Sequence, residues 1–212
     1  MFDVLNPLFS PLYARDAAIL AIQLFGARRA SEVLALTRAD VSKHDGKYEI
    51  AIRRSKTDQR GEGLRFTLLE RTALKISPTK VLDQHLTKNI GSSRDTEQFL
   101  FTAYYPRIKR FSEDPITVKA WNARLAAILT AKHLPLRTSH ALRATAISLS
   151  TAQDLHTVAQ VGGWKSLTYL TTYNRATTET KTNALARIGS RILEGHKHEP
   201  TDISSTSSED SE

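Results

Sequence analysis

Four stretches of this 212-residue chain carry residue types that bind a phosphate or attack one. In "TSHALRATAIS", residues 138–148, His140 and Arg143 stand three apart on the first turn of a predicted helix. A helix N-terminus with two such donors is a ready phosphate site, because its backbone N–H groups lack intrahelical partners and a guanidinium can bind two oxygens at once. In "GARRASEVLALTRADV", 26–41, an arginine marks a predicted helix junction and Glu32 follows Arg29 at i+3, on the same face. Taken alone, that is a surface ion pair. In "IRRSKTDQRGEGLRF", 52–66, Lys56 sits where a predicted strand runs into a hairpin tip, a common place for a solvated lysine. In "GGWKSLTYLTTYNRA", 162–176, Tyr169 and Tyr173 lie four apart behind two glycines, Trp164 and a lysine. These rings are either core packing or an oxygen nucleophile.

The elements that must position these residues are mostly helical. Ser10 and Pro11 start a helix that Gly26 stops, with Leu12, Ile19, Leu20, Ile22, Leu24 and Phe25 as its apolar set. A short helix follows at about 31–37. The period then changes to two: Tyr48, Ile50 and Ile52, and after "TDQRGEG" Leu64, Phe66 and Leu68, predict a hairpin with a long basic tip, the one sheet expected. Helices are predicted at 79–89 and at 117–131, where Val118, Trp121, Leu125, Ile128 and Leu129 share a face. Ser139 is the expected cap of the helix carrying His140, Leu142, Arg143 and Ile147. Asp154 caps the next, which Gly162 and Gly163 end. The fold class expected is mainly α with a small antiparallel sheet, α+β.

Composition narrows the functions available. There is no cysteine, which excludes disulfides, thiol catalysis and cysteine–metal sites and fits an intracellular setting. Apolar runs such as "AAILAI" fall far short of the about 20 residues that span a bilayer, and no membrane partner is expected. The formal charge is +8, but residues 196–212 hold one lysine against five acids. Setting aside that excess of four negative charges leaves +12 on residues 1–195. A body so basic attracts polyanions, nucleic acid foremost. The serine-rich acidic tail, 196–212, is too poor in apolar residues to fold alone.

Read in order, the boxes resemble the catalytic domain of the tyrosine recombinase, or phage integrase, family. The pattern is Arg-x-Ser/Gly-Glu, a hairpin lysine, His-x-x-Arg, then Gly-His or Gly-Trp nine residues before a tyrosine. It is met by Arg29-Ala30-Ser31-Glu32, Lys56, His140-Ala141-Leu142-Arg143, and Gly163-Trp164 with Tyr173. Gly26 precedes Arg29 by three residues and Arg28 by two, where the family spacing is two. Arg28 is therefore the fallback for the first arginine. Position 144, frequently histidine in the family, is alanine. "SKTDQ" with "GGWKSLTY" is more similar to recombinases of eukaryotic retrotransposons and related mobile elements than to bacterial chromosome-dimer resolvases.

The resemblance implies DNA strand breakage and rejoining on double-stranded DNA, in site-specific recombination, integration or transposition. It implies Arg29, Arg143, His140 and Trp164 as donors to a scissile phosphate, Tyr173 as the nucleophile that becomes a 3′-phosphotyrosine, and Lys56 as the acid for the leaving 5′-oxygen. Glu32 would orient an arginine, Tyr169 is the fallback nucleophile, and no metal or other cofactor is implied. It also implies a homotetramer on two duplexes through the helix bearing Leu185, Ile188 and Ile192, whose alternative is docking on its own core. The family's helical domain before the catalytic one has no room ahead of residue 26, so the chain, with its catalytic domain at residues 1–195, is expected to be a fragment or an isolated catalytic module with weak, little site-specific DNA binding. Two other functions share these residues: type IB topoisomerase-like relaxation, and a recombinase-derived DNA-binding protein without activity. The compartment is the cytoplasm for a prokaryotic element and the nucleus for a eukaryotic one.

Overall fold

A computed structural model describes residues 10–53, 63–68, 70, 77–90 and 95–150, without the side chains of 149 and 150. Lys56, Trp164, Tyr169 and Tyr173, the helix after Asp154, the terminal helix and the acidic tail lie outside the described residues.

The organising element is α1, Pro11–Phe25. Proline at its start costs nothing, since the first N–H groups of a helix have no intrahelical acceptor. Every residue from Ala14 to Gln23 is buried, so α1 runs through the core and not along its surface. Its polar members are partnered accordingly. The Asp16 carboxylate accepts from Arg15 and from Arg124, both at 2.6 Å, and Gln23 Oε1 accepts the Trp121 indole N–H at 2.8 Å. The next helix, α2, spans Ala30–Leu34 and is shorter than the sequence suggested. Thr37 ends that stretch by pairing with Phe99 as an isolated bridge and capping a 3-10 turn at Arg38–Asp40.

The expected hairpin is present as part of a three-stranded antiparallel sheet. Strands β1 (Val41–His44), β2 (Lys47–Ile52) and β3 (Leu64–Leu68) lie in that order, with Tyr48 opposite Leu68 and Ile50 opposite Phe66. Asp45 and Gly46 join β1 to β2, both with positive φ, the conformation that a two-residue hairpin turn needs. After α3 (Pro78–His85) and a π turn over Leu86–Ile90, a second sheet corrects the expectation of only one. It consists of β4 (Thr102–Tyr105) and β5 (Arg110–Pro115), paired antiparallel with a register shift between Thr102 and Tyr104.

Two helices complete the described fold. In α4, Val118–Ala131, the side chain of Thr117 caps the first turn by accepting from Ala120 N at 3.1 Å. Trp121, Leu125, Ile128 and Leu129 are buried as expected; Val118, in the first turn, is 39% exposed and leaves that face. The last, α5, is Ser139–Ser150. Ser139 is its first residue and not a cap outside it, and its N–H donates to Asn122 Oδ1 of α4 at 2.9 Å. Both α3 and α5 pack on α1, which brings the start of α5 beside the end of α1. The result is an α+β layout, mainly helical with small antiparallel sheets. Among the described residues no helix is long and apolar enough to cross a membrane.

Candidate active site

The site grows from the way α1 stops. Ala27 adopts φ 52°, and Arg28 N reaches back to Gln23 O at 3.1 Å, the six-to-one bond of a Schellman cap. An alanine in the left-handed region costs roughly 1–2 kcal/mol. Gly26, expected as the stop, has an ordinary φ of −89°. Its lack of a side chain is needed for space: a Cβ there would lie 2.6 Å from Phe66 Cε2 on β3 and 2.7 Å from Ile22 O.

That turn delivers two consecutive arginines into different surroundings. Arg28 is 1% exposed. Its guanidinium lies 5.2 Å over the Phe66 ring, its Nε donates to Gly26 O, and Nη2 has no hydrogen-bond partner among the described residues. Burial pushes its pKa down to about 10, with the charges of Arg143 and Arg29 pushing the same way against the pull of Glu32. Arg29 sits just before α2 with its side chain 26% exposed. Glu32, three residues on, accepts from both Arg29 N (2.9 Å) and Arg29 Nη1 (2.7 Å). A carboxylate at this helical position receiving the preceding backbone N–H is half of a capping box. The Glu32 side chain is only 4% exposed, so the pair is no surface ion pair.

Helix α5 supplies the third arginine. Arg143 is 1% exposed, donates from Nη1 to Ala27 O at 3.0 Å, and holds Nη1 3.8 Å from Glu32 Oε2. The strained Ala27 thus offers its carbonyl to a residue 116 positions away. His140, one turn earlier, is exposed. Of the sequence-predicted residues, then, Arg28, Arg29, Glu32 and Arg143 converge, and His140 is carried on the same helix as Arg143. Arg29 and Arg143 share the buried Glu32 carboxylate, and Arg28 lies near enough to feel its charge. Sequence reasoning missed the contributions of the Ala27 carbonyl and the Phe66 ring; the double arginine of "GARRASE" was the available signal for the former's neighbourhood.

Behind Glu32 a cavity of about 250 Å³ opens between α2 and the end of β2, lined also by Thr37, Asp40 and Arg53. Asp40 receives Thr37 N (2.8 Å) on Oδ2 and lies 2.5 Å from Arg53 Nε through Oδ1. With two carboxylates to one guanidinium, this cavity does not suit a phosphate; the groups that attract an anion are the arginines on the other side of Glu32.

A family model described as the phage integrase family matches residues 1–180. The chain belongs to the phage integrase family. Its fold is that of the catalytic domains of tyrosine recombinases. The XerH site-specific recombinase bound to its palindromic difH substrate in a post-cleavage complex is 18% identical, with a TM-score of 0.65 over 87% of this chain and 49% of that one. The XerA recombinase is 16% identical, with a TM-score of 0.63 over 94% of this chain and 62% of that one. The Tn1549 transposon integrase, in complex with a circular intermediate DNA, is 14% identical, with a TM-score of 0.61 over 88% and 62%. This integrase-family chain therefore spans between about half and three-fifths of the length of these recombinases. Comparison with curated proteins by sequence gives no match.

Proposed function

We propose that this chain is the catalytic module of a site-specific DNA recombinase that breaks and rejoins double-stranded DNA through a 3′-phosphotyrosine, in integration, transposition or a related exchange. The observation that carries the reading is the convergence of Arg29 and Arg143 on the buried carboxylate of Glu32, with Arg28 within reach of the same charges. A phosphodiester is the anion that such guanidinium groups bind through two oxygens at once. Attack at phosphorus adds a second negative charge in the five-coordinate transition state, so donors held in advance stabilise that state more than the ground state. Arg29 and Arg143 are the pair assigned to the non-bridging oxygens, because Glu32 holds Arg29 and Ala27 O holds Arg143 beside the same carboxylate. Arg28 is the fallback for Arg29.

In the reaction, the Tyr173 hydroxyl oxygen forms a bond to phosphorus, the bond from phosphorus to the 5′-oxygen breaks, and the tyrosine proton leaves to His140 or to solvent under the arginine field. Lys56 gives a proton to the departing 5′-oxygen. Trp164 donates its indole N–H to a phosphate oxygen. The phosphotyrosine keeps the phosphoryl group activated, so a 5′-hydroxyl of a second duplex can reverse the step and complete an exchange with no nucleotide hydrolysed. Assembly of four copies on two duplexes belongs to the same reading.

The test is incubation with a nicked suicide duplex, in which the fragment bearing the 5′-hydroxyl diffuses away and traps the covalent protein–DNA adduct. The wild-type chain forms the adduct. Arg143→Ala and Arg29→Ala slow its formation by on the order of 10²-fold or more, the usual cost of removing one preorganised transition-state donor. Arg28→Ala losing the adduct while Arg29→Ala keeps it transfers the first-arginine role to Arg28. Absence of any adduct from the wild-type protein defeats the reading.

A further inference from the structure

We propose that the β4–β5 hairpin tip is a second DNA-contacting element, separate from the arginine cluster, that grips the phosphate backbone of the duplex. The inference rests on the reading that the chain acts on DNA. Residues 105–110, "YPRIKR", are all exposed and hold Arg107, Lys109 and Arg110 with no acid among them. Among the described residues none of the three cations is held in an ion pair. The acids of the same hairpin, Glu113 and Asp114, lie toward the other end of β5, so the positive charge is confined to the tip. Beside the cations, Ile108 is 67% and Tyr105 50% exposed. Apolar groups flanked by guanidinium and ammonium groups match a surface that alternates charged phosphates with apolar sugars.

The tip is presented by a fixed base. Arg15, buried in α1 and held by Asp16, donates to Thr102 O at 2.9 Å and lies 5.6 Å over the Phe111 ring. Phe111 in turn packs against Tyr104 with ring centroids 5.0 Å apart. The hairpin therefore starts from the N-terminal part of α1, whereas the arginine cluster follows its C-terminal end. From Arg15 to Phe25 the helix rises about 15 Å, at 1.5 Å per residue. Against a repeat of about 34 Å per DNA turn, backbone contacts from the tip fall several base pairs from the scissile phosphate. Their contribution is to affinity and register, not to the chemical step.

The experiment measures binding of the full chain to a fluorescent duplex across a salt series. Each phosphate neutralised contributes about 0.9 to the slope of log affinity against log salt concentration. Arg107→Gln, Lys109→Asn and Arg110→Gln together lower that slope by about 2 to 3 and weaken low-salt binding at least tenfold. Asparagine is chosen at 109 because Lys109 has φ 52° and asparagine tolerates that conformation. A control with Lys47→Gln, Lys80→Gln and Lys119→Gln removes equal charge from other exposed positions and lowers the slope by less. Each tip substitution made singly lowers it by about 1, which preserves the test if the triple variant melts early. A wild-type slope in the tip triple, or an equal loss in the control, overturns the inference while the wild type's own binding leaves the DNA reading standing. A wild-type chain with no salt-dependent DNA binding overturns both.

Discussion

Arg28 holds a guanidinium at 1% exposure with one nitrogen unpartnered among the described residues and two other arginines nearby. Burial pushes its pKa well below the ordinary arginine value, to about 10, so the folded state binds that proton less tightly than the unfolded chain does. The resulting penalty is present in full at neutral pH and fades only as pH rises through about 10 toward the ordinary arginine value. At 1.36 kcal/mol per pKa unit it is on the order of 3 kcal/mol, borne by the DNA-free protein. Arg28→Met keeps the stem that packs near Phe66 and removes the charge. It is expected to raise the unfolding free energy of the DNA-free protein by about 1–3 kcal/mol, measured by urea titration; a loss of stability contradicts the charge account. Conversely, Glu32→Ala removes the buried carboxylate that pairs with Arg29 and approaches Arg143 and is expected to cost about 3–5 kcal/mol, the usual effect of breaking one side of a buried pair. The i+3 spacings of Arg29 with Glu32 and His140 with Arg143 were legible in the sequence because helix geometry fixes them. Their burial was not: Arg143 is covered and His140 exposed because α5 turns only one of its faces to α1, which local spacing cannot reveal.

Two elements hold the site's scaffold through unusual contacts. Gly26 lets β3 approach the end of α1, with Phe66 occupying the space of a side chain. Gly26→Ala forces that ring and the backbone apart and is expected to lower stability by about 1–3 kcal/mol, as overpacking does. A thermal melt reads this directly, and an unchanged melting temperature contradicts it. On the far side of α1, the π turn after α3 places Asn89 so that its amide donates to both Pro11 O (2.9 Å) and His85 Nδ1 (2.6 Å). His85 Nε2 lies 2.7 Å from Leu100 O; a carbonyl only accepts, so the proton belongs on Nε2 and Nδ1 is the acceptor. Burial lowers this histidine's pKa from 6.5 to about 4. The unfolded chain therefore takes up a proton below 6.5 that the folded one refuses until about 4, and stability falls across that window as pH falls. The loss is about 3 kcal/mol between pH 6.5 and 4 by the same conversion, and His85→Gln is expected to flatten that part of a stability–pH profile. An unaltered profile contradicts the assignment. The β2–β3 hairpin was legible from strict alternation at Tyr48, Ile50 and Ile52. By contrast β4–β5 was not, since Tyr104 and Tyr105 are adjacent, the register shifts at the start of β4, and no residue from 105 to 110 is buried.

At the scale of the molecule, one buried helix sets the arrangement. The C-terminal end of α1 meets α2 and α5 to gather the arginines, and its N-terminal part anchors the second hairpin. Family membership and the +12 body were legible from motif order and composition, because neither depends on which face an element buries. How Arg28 and Arg29 divide their roles was not, since a one-residue change in spacing from Gly26 alters which arginine the turn tucks beneath β3. The central claim is that this arginine-rich site directs attack by Tyr173 on a DNA phosphate. It is tested most directly by trapping the adduct on a suicide duplex, digesting the protein and locating the nucleotide-bearing residue by mass spectrometry. The account predicts a 3′-phosphotyrosine at Tyr173, lost in Tyr173→Phe and retained in Tyr169→Phe. Modification at Tyr169, or a Tyr173→Phe protein that still becomes linked to DNA, contradicts it.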